Sequence, residues 1–228
     1  MNNNIAKLFI VPLNESFNSE LYDTLSLSIA TNKKAKLDSY ESDIDKKLEL
    51  YADILVRISI YQDLNIENGN IEFGTNSYGK PFLMNNQDYH FNVSHTHNMI
   101  AVAVSNNSVG VDVEKIKEID TRIAKRFFTK QEFSYIEKFQ DNRSERFFKI
   151  WTKKEAYIKY TGKGLSVPLN SFDVTTRELS AHFYTVRYGK YIINMYGAEE
   201  NIAPITIIMS ETGLINLAKD LLLYAVVS

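Results

Sequence analysis

The groups in this chain whose spacing best suits chemistry are two neighbouring carboxylates and, further on, a carboxylate followed by a lysine. Asp112 and Glu114 lie two apart in the run VGVDVE. In a strand, alternate side chains share a face, so Gly110, Asp112 and Glu114 would point one way and Val109, Val111 and Val113 the other. Two carboxylates side by side repel, and each favours protonation unless a cation sits between them. A hard divalent ion such as Mg²⁺, which wants oxygen ligands and few dedicated protein groups, suits this pattern. An amphipathic edge strand showing its acidic face to water would have the same spacing, so the strand alone does not choose.

Glu155 and Lys159 are four apart in WTKKEAYIKYTGKG, Trp151 to Gly164. Glutamate N-terminal to lysine at this spacing is the favourable order for an exposed helical pair, which is one complete explanation. Angular position suggests another. At about 100° per residue, Glu155 lies about 40° and Lys159 about 80° from Trp151. Phe147, Trp151 and Ile158 form the apolar stripe, so Glu155 sits on its flank. A half-buried carboxylate beside a cation suits a general base or a metal ligand.

Other candidates are weaker. His95, in FNVSHTHN, lies where a strand should end and could meet a phosphate, as could Lys80 in YGKP. His90 and His97 have no motif support and read as structural or exposed. Gly74 to Pro81, GTNSYGKP, imitates a phosphate-binding G-x-x-x-x-G-K loop but puts Pro81 where a hydroxyl residue belongs. Proline also disfavours a helical Lys80, so a nucleotide-hydrolase loop is not expected. Two basic clusters remain. Lys33, Lys34 and Lys36 suit a phosphate grip; Arg122, Lys125, Arg126 and Lys130, around Phe127–Phe128, suit an acidic partner. Either could equally be a solvated face.

The elements that must hold these residues follow from periodicity. A strand is predicted over 5–13, and helices over about 15–30 and 39–63. HFNVSH, MIAVAVS and VGVDVE read as three strands, turning at His97–Asn98 and Asn106–Asn107. Thr129 and Glu132 form a capping box for a helix ending near Phe139. Ser144 is the expected N-cap of a helix to about Tyr160, with Gly162 as its stop. Residues 172–226 read as strands, IAPITIIMSE the clearest, with a short helix near 213–220. This order predicts an α+β protein of two similar halves, 1–106 and 107–228.

Composition narrows the class. A chain of 228 residues, 44% hydrophobic and 24% charged, can bury a sound core. Net charge of −2 argues against a generic nucleic-acid binder, and zero cysteines exclude disulfides and thiolate metal sites. The opening MNNNIAKLFIVPL is broken by Pro12 and has no small-residue cleavage site, and no run approaches a membrane span. A cytoplasmic enzyme is the expectation.

Taken in order, YGKP, FNVSHT, VGVDVEK, RFFTKQE and WTKKEAYIKYTGKGLS resemble motifs of the surfactin-type (Sfp-type) 4′-phosphopantetheinyl transferase family. The resemblance covers about residues 30–175; the rest is similar only in strand texture. It implies two similar α+β halves packed as a pseudo-dimer, with the active site between them. It implies Mg²⁺-dependent transfer (Mn²⁺ as the alternative ion) of the phosphopantetheine arm of coenzyme A to a serine of an apo acyl or peptidyl carrier protein, releasing 3′,5′-ADP. A monomer is implied too, while charge and hydropathy lead to the expectation of no nucleic-acid or membrane partner.

Residue by residue, the resemblance makes Asp112, Glu114 and Glu155 magnesium ligands. Glu155, or Glu114 through a water, becomes the base for the serine proton, and Lys159 the lysine that meets the departing phosphate. Lys80, Ser94 and His95 are implied coenzyme A contacts, and Lys154 an additional phosphate contact. Lys33 and Lys36 align with residues gripping the 3′-phosphate, and Lys47 with a further phosphate contact. Glu49 departs from the pattern, standing where a small hydroxyl residue is expected. The carrier would dock near Phe127–Phe128. A non-catalytic coenzyme A or carrier-binding module, and a Mg²⁺-dependent phosphohydrolase, are the alternatives of other classes.

Overall fold

The computed structural model describes residues 5–120, 122–139 and 141–223. Strand β1 (Ala6–Pro12) is followed by helices α1 (Ser19–Ser26), α2 (Thr31–Asp38) and α3 (Asp43–Leu64), then by the short strands β2 (Phe73–Thr75) and β3 (Pro81–Leu83). β4 (His90–Thr96), β5 (Met99–Ser105) and β6 (Val109–Lys115) come next, and then α4 (Arg122–Phe127), α5 (Lys130–Glu137) and α6 (Arg143–Thr161). α7 (Arg177–Ser180), β7 (Phe183–Tyr188), β8 (Tyr191–Gly197), β9 (Ile205–Ile208) and α8 (Glu211–Ala218) complete the fold.

The fold is α+β, in two halves. One sheet runs β4-β5-β1-β9 and a second β6-β8-β7, while β2 and β3 form a separate hairpin. Alternation along the strands stacks these into layers. In β1, Phe9 and Val11 join Val102 and Val104 of β5 in a core with Leu48, Tyr51 and Leu55 of α3. Leu8, Ile10, Ala101 and Ala103 face the other way, against Val109, Val111 and Val113 of β6 and Ile193 and Met195 of β8. Behind the second sheet, Ile192 packs with Phe147, Phe148 and Ile150 of α6 and Phe128.

β4 and β6 are edge strands of different sheets, and side chains join them where a ladder would otherwise run. The Val111 amide donates to Asn92 Oδ1 at 2.8 Å, and the Val113 amide to Ser94 Oγ at 3.3 Å. These bonds satisfy edge amides that would otherwise be buried unpaired. They also fix the register of Asp112 against β4.

The signals at the start of α5 and the end of α6 hold, while the Ser144 N-cap does not. Thr129 and Glu132 form the reciprocal capping box of α5, and Gly162 ends α6 at φ +66°, a left-handed conformation that glycine adopts without strain. α6 begins one residue before Ser144, with Asn142 at its N-cap. The region 15–30 is a shorter helix than expected, followed by a separate α2. In the C-terminal region, β9 pairs parallel to β1, and Leu214 and Ala218 of α8 enter the α3 core. Chain order places this segment with the second half, yet it completes the first half's sheet and core. Residues 224–226, part of the region expected to form strands, lie outside those described.

Candidate active site

The alternation expected of VGVDVE is present, and what it faces is helix α6. A Cβ on Gly110 would lie 2.0 Å from the Ala156 carbonyl oxygen and 2.4 Å from the Tyr160 nitrogen. Only glycine allows so close an approach, and the approach sets Asp112 beside the side chains of α6. Lys159 Nζ lies 2.7 Å from Asp112 Oδ1, which also accepts the Ser94 hydroxyl at 2.9 Å. Glu114 Oε2 accepts from Thr96 at 3.3 Å. β4, β6 and α6 thus converge at the junction of the halves.

Asp112, Glu114 and Glu155 line one cleft of about 420 Å³, whose remaining wall is Ile123, Phe127, Trp151 and Leu169. Burial pushes all three carboxyls above their ordinary range. Asp112 raises Glu114 and Glu155 further, while Lys159 partly offsets the effect at Asp112. Asp112 is 5% exposed, and among the described residues its Oδ2 has no hydrogen-bond partner.

Among the described residues, no three histidine, cysteine, aspartate or glutamate side chains converge as a metal-binding group. The donor chemistry nevertheless fits a hard cation. It consists of carboxylate oxygens only, one of them a buried orphan, in a pocket that penalises their negative charge.

Other expected site residues divide sharply. Ser94 reaches the site and holds Asp112. His95 and Lys33 meet on a single carboxylate: His95 Nε2 is 3.1 Å from Glu49 Oε1, and Lys33 Nζ donates to Glu49 Oε2 at 3.0 Å. Lys36 is exposed on α2, one turn beyond Lys33.

Three lysines lead elsewhere. Lys47 Nζ donates to the carbonyls of Asn14 and Ser16 and pairs with Glu211 at 2.8 Å, lining a different cleft of about 200 Å³. Lys47 and Glu49, two apart on α3, are about 200° apart around it, so they cannot serve one phosphate. Lys80 Nζ donates to Val109 O at 2.9 Å and Tyr160 O at 3.3 Å, tying the β2–β3 hairpin to β6 and α6. Burial lowers its pKa to about 8. Lys154, expected at a phosphate, is 0% exposed and pairs with Glu132 at 2.8 Å. It also donates to the carbonyls of Leu169 and Phe172, both at 2.7 Å. One residue along a helix is a turn of about 100°, which takes Lys154 out of the cleft and into the core.

Phe128 is likewise core, stacked on Phe147, whereas Phe127 and Ile123 are exposed at the cleft mouth with Arg126 over the Phe127 ring. Sequence reasoning missed Glu49 as the meeting point of Lys33 and His95, and Asn92 and Thr96 as supports of β6. The alternation 92, 94, 96, polar residues on one face of a strand, was the available signal for the latter two.

Residues 108–200 match the 4′-phosphopantetheinyl transferase superfamily, and residues 16–107 the 4′-phosphopantetheinyl transferase N-terminal family. The chain is 38% identical over 181 residues to the 4′-phosphopantetheinyl transferase gsp of Aneurinibacillus migulanus, covering 79% of this chain and 75% of that protein. It is 35% identical over 169 residues to the 4′-phosphopantetheinyl transferase Sfp of Bacillus subtilis (strain 168), covering 74% and 75%. The 4′-phosphopantetheinyl transferase ffp of Bacillus subtilis is 34% identical, over 75% and 77%. The chain belongs to the Sfp-type 4′-phosphopantetheinyl transferase family and is an enzyme of that class.

Proposed function

We propose that this enzyme moves the 4′-phosphopantetheine arm of coenzyme A onto a serine of an apo acyl or peptidyl carrier protein, with Mg²⁺ bound, and releases 3′,5′-ADP. The observation that carries this reading is the single cleft in which Asp112, Glu114 and Glu155 meet, with Lys159 held at 2.7 Å from Asp112. Asp112, Glu114 and Glu155 would hold the ion. When bound, it would supply Lewis-acid polarisation of the pyrophosphate and neutralise developing negative charge.

In this reading the serine oxygen forms a bond to the β-phosphorus, and the bond from that phosphorus to the bridging oxygen breaks. The serine proton passes to Glu155, or to Glu114 through a water; a carboxylate raised by burial is the better base near neutral pH. Lys159, on the same helix, supplies positive charge to the departing phosphate of 3′,5′-ADP. Ser94 orients Asp112. The apolar wall of Ile123, Phe127, Trp151 and Leu169 suits the uncharged pantetheine arm. The exposed Phe127, with Arg126 beside it, suits an acidic carrier at the mouth. Lys33, Lys36 and His95 are assigned to the 3′-phosphate end of coenzyme A. A cytoplasmic monomer acting on no nucleic acid or membrane completes the proposal; no described helix is long and apolar enough to cross a membrane.

Incubation with coenzyme A, Mg²⁺ and an apo carrier should add the mass of the arm to one serine. Chelation should abolish the addition and Mg²⁺ restore it. A folded protein that binds coenzyme A yet modifies none of a panel of carriers would overturn the reading. Release of phosphate from coenzyme A without a carrier would identify a phosphohydrolase instead.

A further inference from the structure

The carboxylate of Glu49 bridges two groups that arrive from different elements. Lys33 of α2 engages one of its oxygens at 3.0 Å and His95 of β4 the other at 3.1 Å. The three side chains are 31%, 29% and 27% exposed for Lys33, Glu49 and His95, so the bridge is open to solvent on one side. His95 follows Ser94, which holds Asp112, on β4, and alternation turns the two side chains to opposite faces of the strand. Lys36 stands exposed on the same helix as Lys33. The Glu49 carboxyl is held down to about 2, first by the His95 hydrogen bond and then by Lys33, against burial. It is therefore an anion throughout the working range of pH.

A carboxylate that binds two donors with separate oxygens stands where a phosphate monoester would place two of its own. Anions brought to one pair of donors repel, so an incoming phosphate must displace Glu49 or share its partners. We propose that Glu49 is a specificity-determining residue that pre-occupies the Lys33–His95 cradle, so that the 3′-phosphate of coenzyme A adds little to recognition. The enzyme then uses 3′-dephospho-coenzyme A and coenzyme A with similar efficiency. This rests on the reading of the chain as a transferase with Lys33, Lys36 and His95 at the 3′-phosphate end.

The experiment is a comparison of kcat/KM for coenzyme A and for 3′-dephospho-coenzyme A, with one apo carrier, in the wild type, Glu49→Gln and Glu49→Thr. The wild-type ratio should lie within about threefold, and both variants should raise it about tenfold or more, through KM for coenzyme A with kcat little changed. A ratio that fails to rise in a folded variant overturns the proposal. So does a wild type that already prefers coenzyme A by about a hundredfold. Should both variants fail to fold, the wild-type ratio decides alone. Loss of transfer with both nucleotides in the wild type would instead overturn the transferase reading.

Discussion

Two charged clusters on helix α6 begin one residue apart and are built on opposite principles. Lys154 faces a closed network: Glu132 and the carbonyls of Leu169 and Phe172 take its protons, and Phe172 lies under it at 4.3 Å. Both charges of the pair are 0% exposed. Glu155 faces an open one, in which three carboxylates share a cleft, one lysine offsets part of their charge, and Asp112 Oδ2 has no partner among the described residues. A closed network fixes structure. An open one keeps an unfilled demand for positive charge and hydrogen-bond donors, which is where a substrate or ion can contribute binding energy.

The sharpest break of this contrast is at the open cluster. Asp112→Ala or Glu155→Ala should cut carrier modification by about a thousandfold or more, since both the donor set and the base are affected. Circular dichroism should change little in either variant, and the melting temperature little in Glu155→Ala, because removing one of several repelling carboxylates relieves charge; Asp112→Ala also gives up its bonds to Lys159 and Ser94. Transfer surviving at near wild-type rate would mean that the cleft is misassigned.

The closed cluster should respond the other way. Lys154→Met leaves Glu132 charged and buried, costing about 3–5 kcal/mol in urea unfolding. The Glu132→Gln, Lys154→Met double variant should recover part of that loss, since the buried charge is gone, although the amide oxygen can accept only one of the Thr129 and Val174 amides that the two carboxylate oxygens now take. Transfer by whatever fraction stays folded should be within a few-fold of wild type. An unstable Lys154→Met with normal stability in Glu155→Ala is the pattern expected.

Ser94→Ala probes the seam between the halves. It removes a bond to Asp112 and an acceptor for the Val113 amide, for a loss of about 1–2 kcal/mol in stability. Activity should also fall, as Asp112 loses an orienting partner.

The smallest effect is in acid. Glu49 has a folded pKa lowered to about 2 from 4.5. The unfolded chain therefore binds its proton first as pH falls, and the stabilisation is complete above about pH 4.5 and lost on the way down to about 2. Glu49→Gln lacks this contribution, about 1 kcal/mol given partial exposure. The gap between the urea midpoints of wild type and variant should narrow from about pH 5 to pH 3.

The sequence by itself determined whatever depends on neighbours along the chain. The period of two in VGVDVE, the Glu155–Lys159 turn of helix, the Thr129–Glu132 box and the Gly162 stop are local rules, and each is present in the fold. Tertiary structure decided what each charged side chain meets. Lys47 finds Glu211, Lys80 finds the carbonyls of Val109 and Tyr160, and Lys154 finds Glu132. None of these partners is a helical neighbour, and a step of one or two residues on a helix redirects a side chain by about 100° or 200°. The same holds for β9, whose apolar pattern suits either sheet and which only the packing assigns to β1. Spacing could therefore place Asp112, Glu114 and Glu155 on particular faces of their elements. Their convergence required β6 to pack on α6 within the second half, and the meeting of Lys33 and His95 at Glu49 required α2, α3 and β4 to pack within the first.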